Sequence, residues 1–335
     1  MYNCLDMCPH LEKVTIHQCG SHACGTEALR CLPKLQFLEI SILHENHAEE
    51  VWVDTFCFPE QINTLVLHLH TLSVEFQELC GSLTVFRSLA CLNLCQHGGG
   101  GDLDLPLRHL RSLESLHLQG YNFAPEWASH FSCLTRLTLL SFAGLDDPVP
   151  LHELAALLAL QTLHLRAHCE PANGDIFVNL DVLHDLPPTM RELRINGLTW
   201  EREMNSLRGL ANLRVCMLTD TGSVSLPAHM PHLHTLVLDE NDGLVLEDHL
   251  TGFTALRLLS LRKCGQVAVP NSFNQLAALP RLTCIDVAGS LPVNQLDWSA
   301  YEGLPLHAGV PGSLSKHTLP SRPYLVFDGM IAYED

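Results

Sequence analysis

Leucines and other apolar residues recur along this chain in short groups with a fixed internal spacing. The clearest group has apolar residues at Phe253, Leu256, Leu259 and Leu261 and ends at Cys264. Its last two leucines alternate with their neighbours as strand residues do, because successive side chains of a strand point to opposite faces. The group therefore predicts a short strand at these two leucines and a turn in which the Cys supplies a buried polar atom.

The same spacing occurs at twelve places, and successive groups begin 20 to 30 residues apart. One such group is uninformative, because any amphipathic helix produces it. Twelve groups in near-even succession indicate an internal repeat. The predicted strand cores are 14–16, 38–40, 65–67, 92–94, 116–118, 137–139, 163–165, 193–195, 216–218, 236–238, 259–261 and 285–287.

These groups resemble the leucine-rich-repeat family over residues 8–290. The style is similar to that of plant and algal members, in which a Pro precedes the leucine run, as at Pro150, Pro227 and Pro270. The resemblance implies an α/β fold, namely a leucine-rich-repeat solenoid shaped as a curved horseshoe of about 12 repeats. It also implies a parallel β-sheet on the concave face of that solenoid.

The residue that closes each repeat is Asn or Cys in the family, and this chain keeps that rule only in part. It has Cys19, Asn241 and Cys264 in three repeats. The other repeats close with Leu43, His70, His97, Tyr121, Phe142, His168, Leu198, Thr221 and Ser290. The chain is therefore predicted to be a solenoid whose closing positions vary.

Length alone would suggest two domains in a chain of 335 residues. A solenoid overrides that rule, because each repeat buries its apolar face against its neighbours and the core grows with the repeat number. Residues 1–290 are therefore predicted to form the solenoid, and residues 291–335 a C-terminal capping segment. Within that segment residues 323–328 could add a last strand, and a flexible tail after Gly312 is the alternative.

Charge and composition exclude several classes of partner. The net charge of −18 disfavours nucleic acid, whose phosphates need a basic surface, and it disfavours anionic membranes for the same reason. The first residues contain no basic, apolar leader, and the longest apolar run is too short for a membrane span. The 14 scattered cysteines are typical of reduced thiols, which predicts a cytoplasmic protein.

Candidate chemistry is sparse. Zinc is an alternative for the Cys and His residues near the start, but reduced, unligated thiols are favoured over a metal or cofactor site. These residues are Cys4, Cys8, His10, His17, Cys19, His22, Cys24 and Cys31. His152 and Glu153 are followed by Ala156, so a metalloprotease motif is not completed. We therefore predict that the protein is not an enzyme and binds neither metal nor cofactor.

A partner-binding surface is predicted on the concave face, at strand positions that flank the buried leucines. The fifth to eighth repeats place there His117, Gln119, Arg136, His164, Arg166, Arg194 and Asn196. Neighbouring strands lie about 4.8 Å apart, so these residues would form one patch. Because Arg binds carboxylates and phosphates in a bidentate way, the predicted partner is an acidic or phosphorylated segment of a protein. The alternative is ordinary solvated residues partly paired with Glu192.

The predicted function is therefore a noncatalytic protein–protein interaction module that binds a partner protein through its concave face. One alternative is the substrate-recognition subunit of a ubiquitin ligase, similar to F-box leucine-rich-repeat proteins but without its F-box here. Another is a structural component of a larger assembly such as the axoneme, which rests on analogy with the family alone.

Overall fold

The structure is a computed structural model, and it describes part of every predicted repeat. They are residues 8–19, 26–42, 58–69, 81, 83–96, 105–121, 128–145, 151–167, 186–198, 207, 209–222, 229–241, 244–245, 252–264, 267–268, 279–286 and 306–307.

Short strands recur once per repeat along the described chain. In chain order they are β1 (Lys13–Cys19), β2 (Phe37–Ile42), β3 (Thr64–Leu69), β4 (Cys91–Gln96), β5 (Ser115–Gln119), β6 (Leu139–Leu145), β7 (Thr162–Ala167), β8 (Glu192–Asn196), β9 (Val215–Thr219), β10 (Thr235–Val237), β11 (Leu244–Val245), β12 (Leu258–Ser260), β13 (Val267–Ala268), β14 (Cys284–Asp286) and β15 (Leu306–His307). All except β11 and β13 form one parallel sheet in chain order, and those two pair with each other.

Helical structure in the described residues is limited to short turns between strands. There is one four-residue α-helix, α1 (Ala128–Phe131). The 3₁₀ turns are Thr26–Cys31, Leu83–Val85, Leu107–His109 and Leu151–Ala156. Within the described ranges, no helix is long and apolar enough to cross a membrane.

The core is a stack of inward side chains, two from each strand. Leu116 of β5 pairs in register with Leu140 of β6, which pairs with Leu163 of β7. All three are fully buried, and burial of such a side chain contributes about 1.5–3 kcal/mol. The predicted leucine-rich-repeat solenoid with a parallel sheet on its concave face is therefore confirmed.

One carbonyl group ahead of each strand fixes the register of the next repeat. The Glu12 carbonyl accepts hydrogen bonds from the N–H groups of Gln36 and Phe37, at 2.9 and 3.0 Å. The same two-to-one arrangement recurs from repeat to repeat, for example at the carbonyls of Gln36, Asn63, Glu114, Arg191 and Arg257. Each strand is thereby held in register with the strand before it.

The sixth strand differs from its predicted position by three residues. The prediction placed its core at 137–139, whereas Leu140 and Phe142 are the residues that pair with Leu116 and Leu118 of β5. Leu137 is buried ahead of the strand, as Leu113 is ahead of β5. The apolar run offers two registers, and only pairing with the neighbouring strands selects the later one. The other eleven predicted cores overlap the observed strands.

The corrected register also moves the closing residue of that repeat from Phe142 to Leu145. The closing residues that the structure describes are all buried: Tyr121, Leu145, Leu198, Thr221, Asn241 and Cys264. The side chains of the other predicted closing residues lie outside the described part. The last three described closing residues, Thr221, Asn241 and Cys264, form a polar ladder. In it the Asn241 side chain accepts from the N–H and hydroxyl of Thr221, at 2.8 and 2.7 Å, and donates to the Leu218 carbonyl at 2.7 Å.

The residue before each of these closing positions has a left-handed backbone. Three of them are Gly120, Gly144 and Gly197, and three are Asp220, Glu240 and Lys263, with φ between 51° and 75°. The turn at the end of each strand requires this conformation, which glycine adopts without strain.

The C-terminal end of the sheet continues past residue 290. Strand β15 lies inside the predicted capping segment and pairs with β14 through Ile285–Leu306 and Asp286–His307. Residues 323–328, predicted as a possible last strand, lie outside the described part. The boundary between solenoid and cap stays a prediction.

Gly120→Ala is expected to lower the free energy of unfolding by at least about 2 kcal/mol more than Gly222→Ala does. A Cβ at Gly120 would lie 2.3 Å from the backbone oxygen of Gln96, so the backbone must shift. Gly222 has a similar φ of 79°, but a Cβ there meets nothing within 4 Å, so only the backbone strain remains. Urea unfolding of both variants measures the difference, and equal losses would contradict the packing of β4 against β5.

Asn241→Ala is expected to cost about 2–4 kcal/mol of unfolding free energy, because it leaves buried backbone groups of the ladder without partners. The matched control is Asn212→Ala, which removes one exposed hydrogen bond to the Pro188 carbonyl at 2.8 Å. That control should cost less than about 1 kcal/mol. If the polar ladder did not contribute to the unfolding free energy, the two variants would have the same urea midpoint.

Candidate functional site

The outward side chains of the strands form three rows across the concave face. Each row runs through residues that are register partners on neighbouring strands, so consecutive members lie about 4.8 Å apart. From β5 to β10 the first row is Ser115, Leu139, Thr162, Glu192, Val215 and Thr235. The second row is His117, Ser141, His164, Arg194, Met217 and Val237. From β5 to β9 the third row is Gln119, Ala143, Arg166, Asn196 and Thr219.

Four of the predicted binding residues meet on β7 and β8. His164 is the register partner of Arg194, and Arg166 is the register partner of Asn196. All four are half-buried on the outward face of the sheet. Their positions follow from the repeat spacing, because equivalent residues of successive repeats stack on one another. We call these four residues the arginine cluster.

His117 and Gln119 lie on the same face but on β5, one strand removed from the arginine cluster. Between them and the cluster, β6 presents Leu139, Ser141 and Ala143. These residues replace the expected outward set of Arg136, Thr138 and Leu140, because the strand begins three residues later than predicted.

The expected strand position of Arg136 is therefore wrong. Arg136 lies ahead of β6, is exposed, and forms an ion pair with Glu114, which precedes β5. The structure thus separates Arg136 from the rows of outward side chains, whereas it brings the other two arginines onto adjacent strands. A part for Arg136 in partner binding stays a prediction.

Glu192 holds two members of the arginine cluster in place. Its Oε1 atom accepts hydrogen bonds from His164 Nε2 at 3.2 Å and from Arg194 Nε at 2.5 Å. The hydrogen bond from His164 lowers the pKa of Glu192, and the charge of Arg194 acts in the same direction while burial opposes both. The anticipated pairing with Glu192 is thus present.

His117 has a different environment. Its Nε2 atom lies 2.9 Å from the Ser115 hydroxyl, and burial, together with the charge of His164, lowers the pKa of its imidazole. His117 is consequently neutral at neutral pH, when it can both donate and accept a hydrogen bond.

Metal binding and thiol chemistry find no support in the described residues. In those ranges no three His, Cys, Asp or Glu side chains are grouped to hold a metal ion. Cys4, His22 and Cys24 of the N-terminal set lie outside them. Burial raises the pKa of Cys95 to about 11 and that of Cys216 to about 12. These thiols are therefore protonated and poor nucleophiles.

An apolar patch adjoins the arginine cluster and was not singled out by the sequence. It consists of Val215 and Met217 on β9, Val237 on β10 and Leu258 on β12. Met217 is the register partner of both Arg194 and Val237, and Thr235 lies between Val215 and Leu258 in the first row. An apolar residue at outward positions that neighbouring repeats fill with polar ones is the signal that identifies this patch.

The fold is that of a leucine-rich-repeat solenoid, and its concave face is mixed polar and apolar. No protein-family model and no curated protein matches the chain. A solved structure of a leucine-rich-repeat protein of Leptospira interrogans is similar over 78% of this chain and 69% of that one, at 17% identity and a TM-score of 0.52. That likeness concerns the fold alone. The plant or algal style of the repeats stays a prediction.

The crystal structure of a TDR receptor is also similar, at 16% identity and a TM-score of 0.56. The match covers 84% of this chain and 48% of the receptor, so the chain spans about half the length of that protein. At such low identity both likenesses establish the leucine-rich-repeat fold and nothing finer.

Glu192→Gln is expected to lower the unfolding free energy at pH 7 by about 1–2 kcal/mol, because the carboxylate receives charge-assisted hydrogen bonds. The folded state lowers the pKa of Glu192 below its ordinary value of 4.5, so its stabilising effect is present above that value. The effect is lost as the pH falls through the lowered pKa. The gap between wild type and variant should therefore shrink between pH 7 and pH 3.

Glu153→Gln is the control, since Glu153 pairs with His152 at 3.3 Å on the exposed surface. Exposed pairs contribute about 0–1 kcal/mol, so its gap to wild type should be small at both pH values. Urea unfolding at each pH gives the comparison. A Glu192→Gln gap that stays constant with pH would contradict the role assigned to this carboxylate.

Proposed function

We propose that the protein is a noncatalytic protein–protein interaction module whose concave face binds an acidic or phosphorylated segment of a partner protein. The observation that carries this proposal is the arginine cluster: two arginines on the outward face of adjacent strands, in a chain of net charge −18. An Arg side chain suits the capture of a carboxylate or phosphate, because its planar group donates two parallel hydrogen bonds.

Preorganisation supports this use of the cluster. Arg194 is half-buried and already held by Glu192, so less side-chain freedom is lost when a ligand binds than for a solvated arginine. Asn196 and Arg166 are register partners beside it, which places further donors within a few ångströms. The arginine cluster therefore places several hydrogen-bond donors within an area that one carboxylate or phosphate group can contact.

The overall charge limits the kind of partner. A chain with 37 acidic and 19 basic residues repels a strongly acidic protein at a distance. The partner that fits is consequently one whose acidity is confined to a short segment. A noncatalytic role is supported by the raised pKa values of Cys95 and Cys216. The proposal includes an intracellular setting, on the scattered cysteines, and a plant or algal style of repeat, on the Pro residues before its leucine runs.

Replacing Arg166 and Arg194 together by Ala is expected to weaken binding of acidic peptides by at least about tenfold, which corresponds to one lost charged hydrogen bond. The measurement is fluorescence anisotropy with a peptide library that contains Asp, Glu and phosphoserine at defined positions. The matched control is Arg111→Ala, which removes an exposed arginine that lies ahead of β5 and donates to the Arg108 carbonyl at 3.4 Å.

The control should bind within about twofold of wild type, a change below about 0.5 kcal/mol. Equal binding by all three proteins would remove the arginine cluster as the contact. Partner recovery from a native lysate with the wild type and the double variant then identifies the physiological ligand.

A further inference from the structure

We infer that the partner segment carries a large apolar residue two or three positions away from its acidic residue, and that this residue binds to the apolar patch of Val215, Met217, Val237 and Leu258. The inference rests on the proposed function and specifies the segment that the same face selects. It is carried by the direct contact between two kinds of surface, the arginine cluster and the apolar patch, at the boundary of β8 and β9.

The register fixes the distance between the two surfaces. Arg194 is the partner of Met217 on the next strand, and Met217 is the partner of Val237 on the strand after that. The apolar patch therefore begins about 5 Å from the cluster and is centred about 10 Å from it. Side chains alternate between faces in a β-extended segment, so residues two apart point the same way and span about 7 Å. In a polyproline II segment residues three apart point the same way and span about 9 Å. One acidic and one apolar side chain at this spacing contact both surfaces together.

The patch is suited to a single large side chain. Single apolar residues on a surface need no explanation, but here the four lie on three adjacent strands of the sheet, two of them as direct register partners. Val237 is 8% exposed, so its side chain is held in place by its neighbours. Met217 is half-buried, and its unbranched side chain can adapt to apolar groups of different shape. Leucine, methionine or phenylalanine in the segment would be shielded from water on this patch.

The charges beyond the patch set the direction of the segment. Asp239 follows β10, and its Oδ1 atom accepts from the Ser260 hydroxyl at 2.6 Å and from the Arg262 N–H at 2.8 Å. Asp286 on β14 lies 3.8 Å from the Arg262 side chain. A second acidic residue on this side of the segment would meet these two carboxylates. The acidic residue of the partner is therefore at the β7–β8 end only.

The test is a peptide series that binds to the full chain in fluorescence anisotropy. Each peptide carries one Glu in a Gly/Ser background, and a Leu is moved from one to six positions away on either side. We expect Leu at two or three positions to tighten binding by about tenfold over the peptide without Leu. A second Glu placed beyond the Leu should weaken binding again.

Two variants and a matched control locate the effect. Met217→Gln and Val215→Thr should each reduce the preference for Leu at least threefold and leave the requirement for Glu unchanged. Val66→Thr makes the same substitution as Val215→Thr at an outward position of β3, away from the patch, and should change nothing. Circular dichroism establishes that all three variants are folded.

Each result decides between the two proposals. If peptides bind through Glu and lose binding when Arg166 and Arg194 are replaced, but Leu has no effect at any position, the inference is overturned and the proposed function stands. If no peptide binds, or binding persists without Glu and without both arginines, the proposed function and the inference fall together. A Leu preference that survives Met217→Gln and Val215→Thr also overturns the inference.

Discussion

The stacking of inward side chains between parallel strands is the interaction on which the rest of this structure depends. Residues such as Leu116, Leu140 and Leu163 are buried only because the repeats on either side cover them. The outward positions are tied to the inward ones, since side chains alternate along a strand. The binding surface is therefore a consequence of the register of the core, and a register shift in one repeat changes which residues are outward as well as which are buried.

The regular part of this fold could be predicted from the sequence because its signal is local. Eleven strand cores are located by leucine spacing alone, and their described inward residues are buried except Val14 and Ile16 of β1, which are partly buried. The sixth failed because Leu137, Leu139 and Leu140 offer two alternations of equal quality within one repeat. Only the hydrogen bonds from Thr138 and Leu139 to the Glu114 carbonyl, contacts 24 residues apart, distinguish them. The misplacement of Arg136 followed from that one ambiguity.

The surface shows the same division between local and non-local information. That Arg194 lies beside His164 follows from aligning the repeats, as does the row that contains both. The alignment does not predict that one Glu192 oxygen accepts hydrogen bonds from both His164 and Arg194. A glutamate at the first outward position can equally point to solvent. The apolar patch was also open to prediction from aligned repeats. It is harder to recognise than the charged residues, because Val215 and Met217 indicate a binding surface only through their neighbour Arg194.

The closing turns show how far the same constraint reaches. Where the closing residue is apolar, as at Tyr121, Leu145 and Leu198, the left-handed residue before it is glycine. In the repeats that close with Thr221, Asn241 and Cys264, that position holds Asp220, Glu240 and Lys263.

A left-handed conformation costs such residues about 1–2 kcal/mol. The hydrogen bonds of the polar ladder, each contributing about 1 kcal/mol, offset this cost, and a leucine at the closing position has none to offer. Non-glycine residues then become possible at the rim, where Lys263 and Glu240 form an ion pair at 2.6 Å. The polar ladder thus determines not only the interior of the last repeats but also which charges their edge can carry.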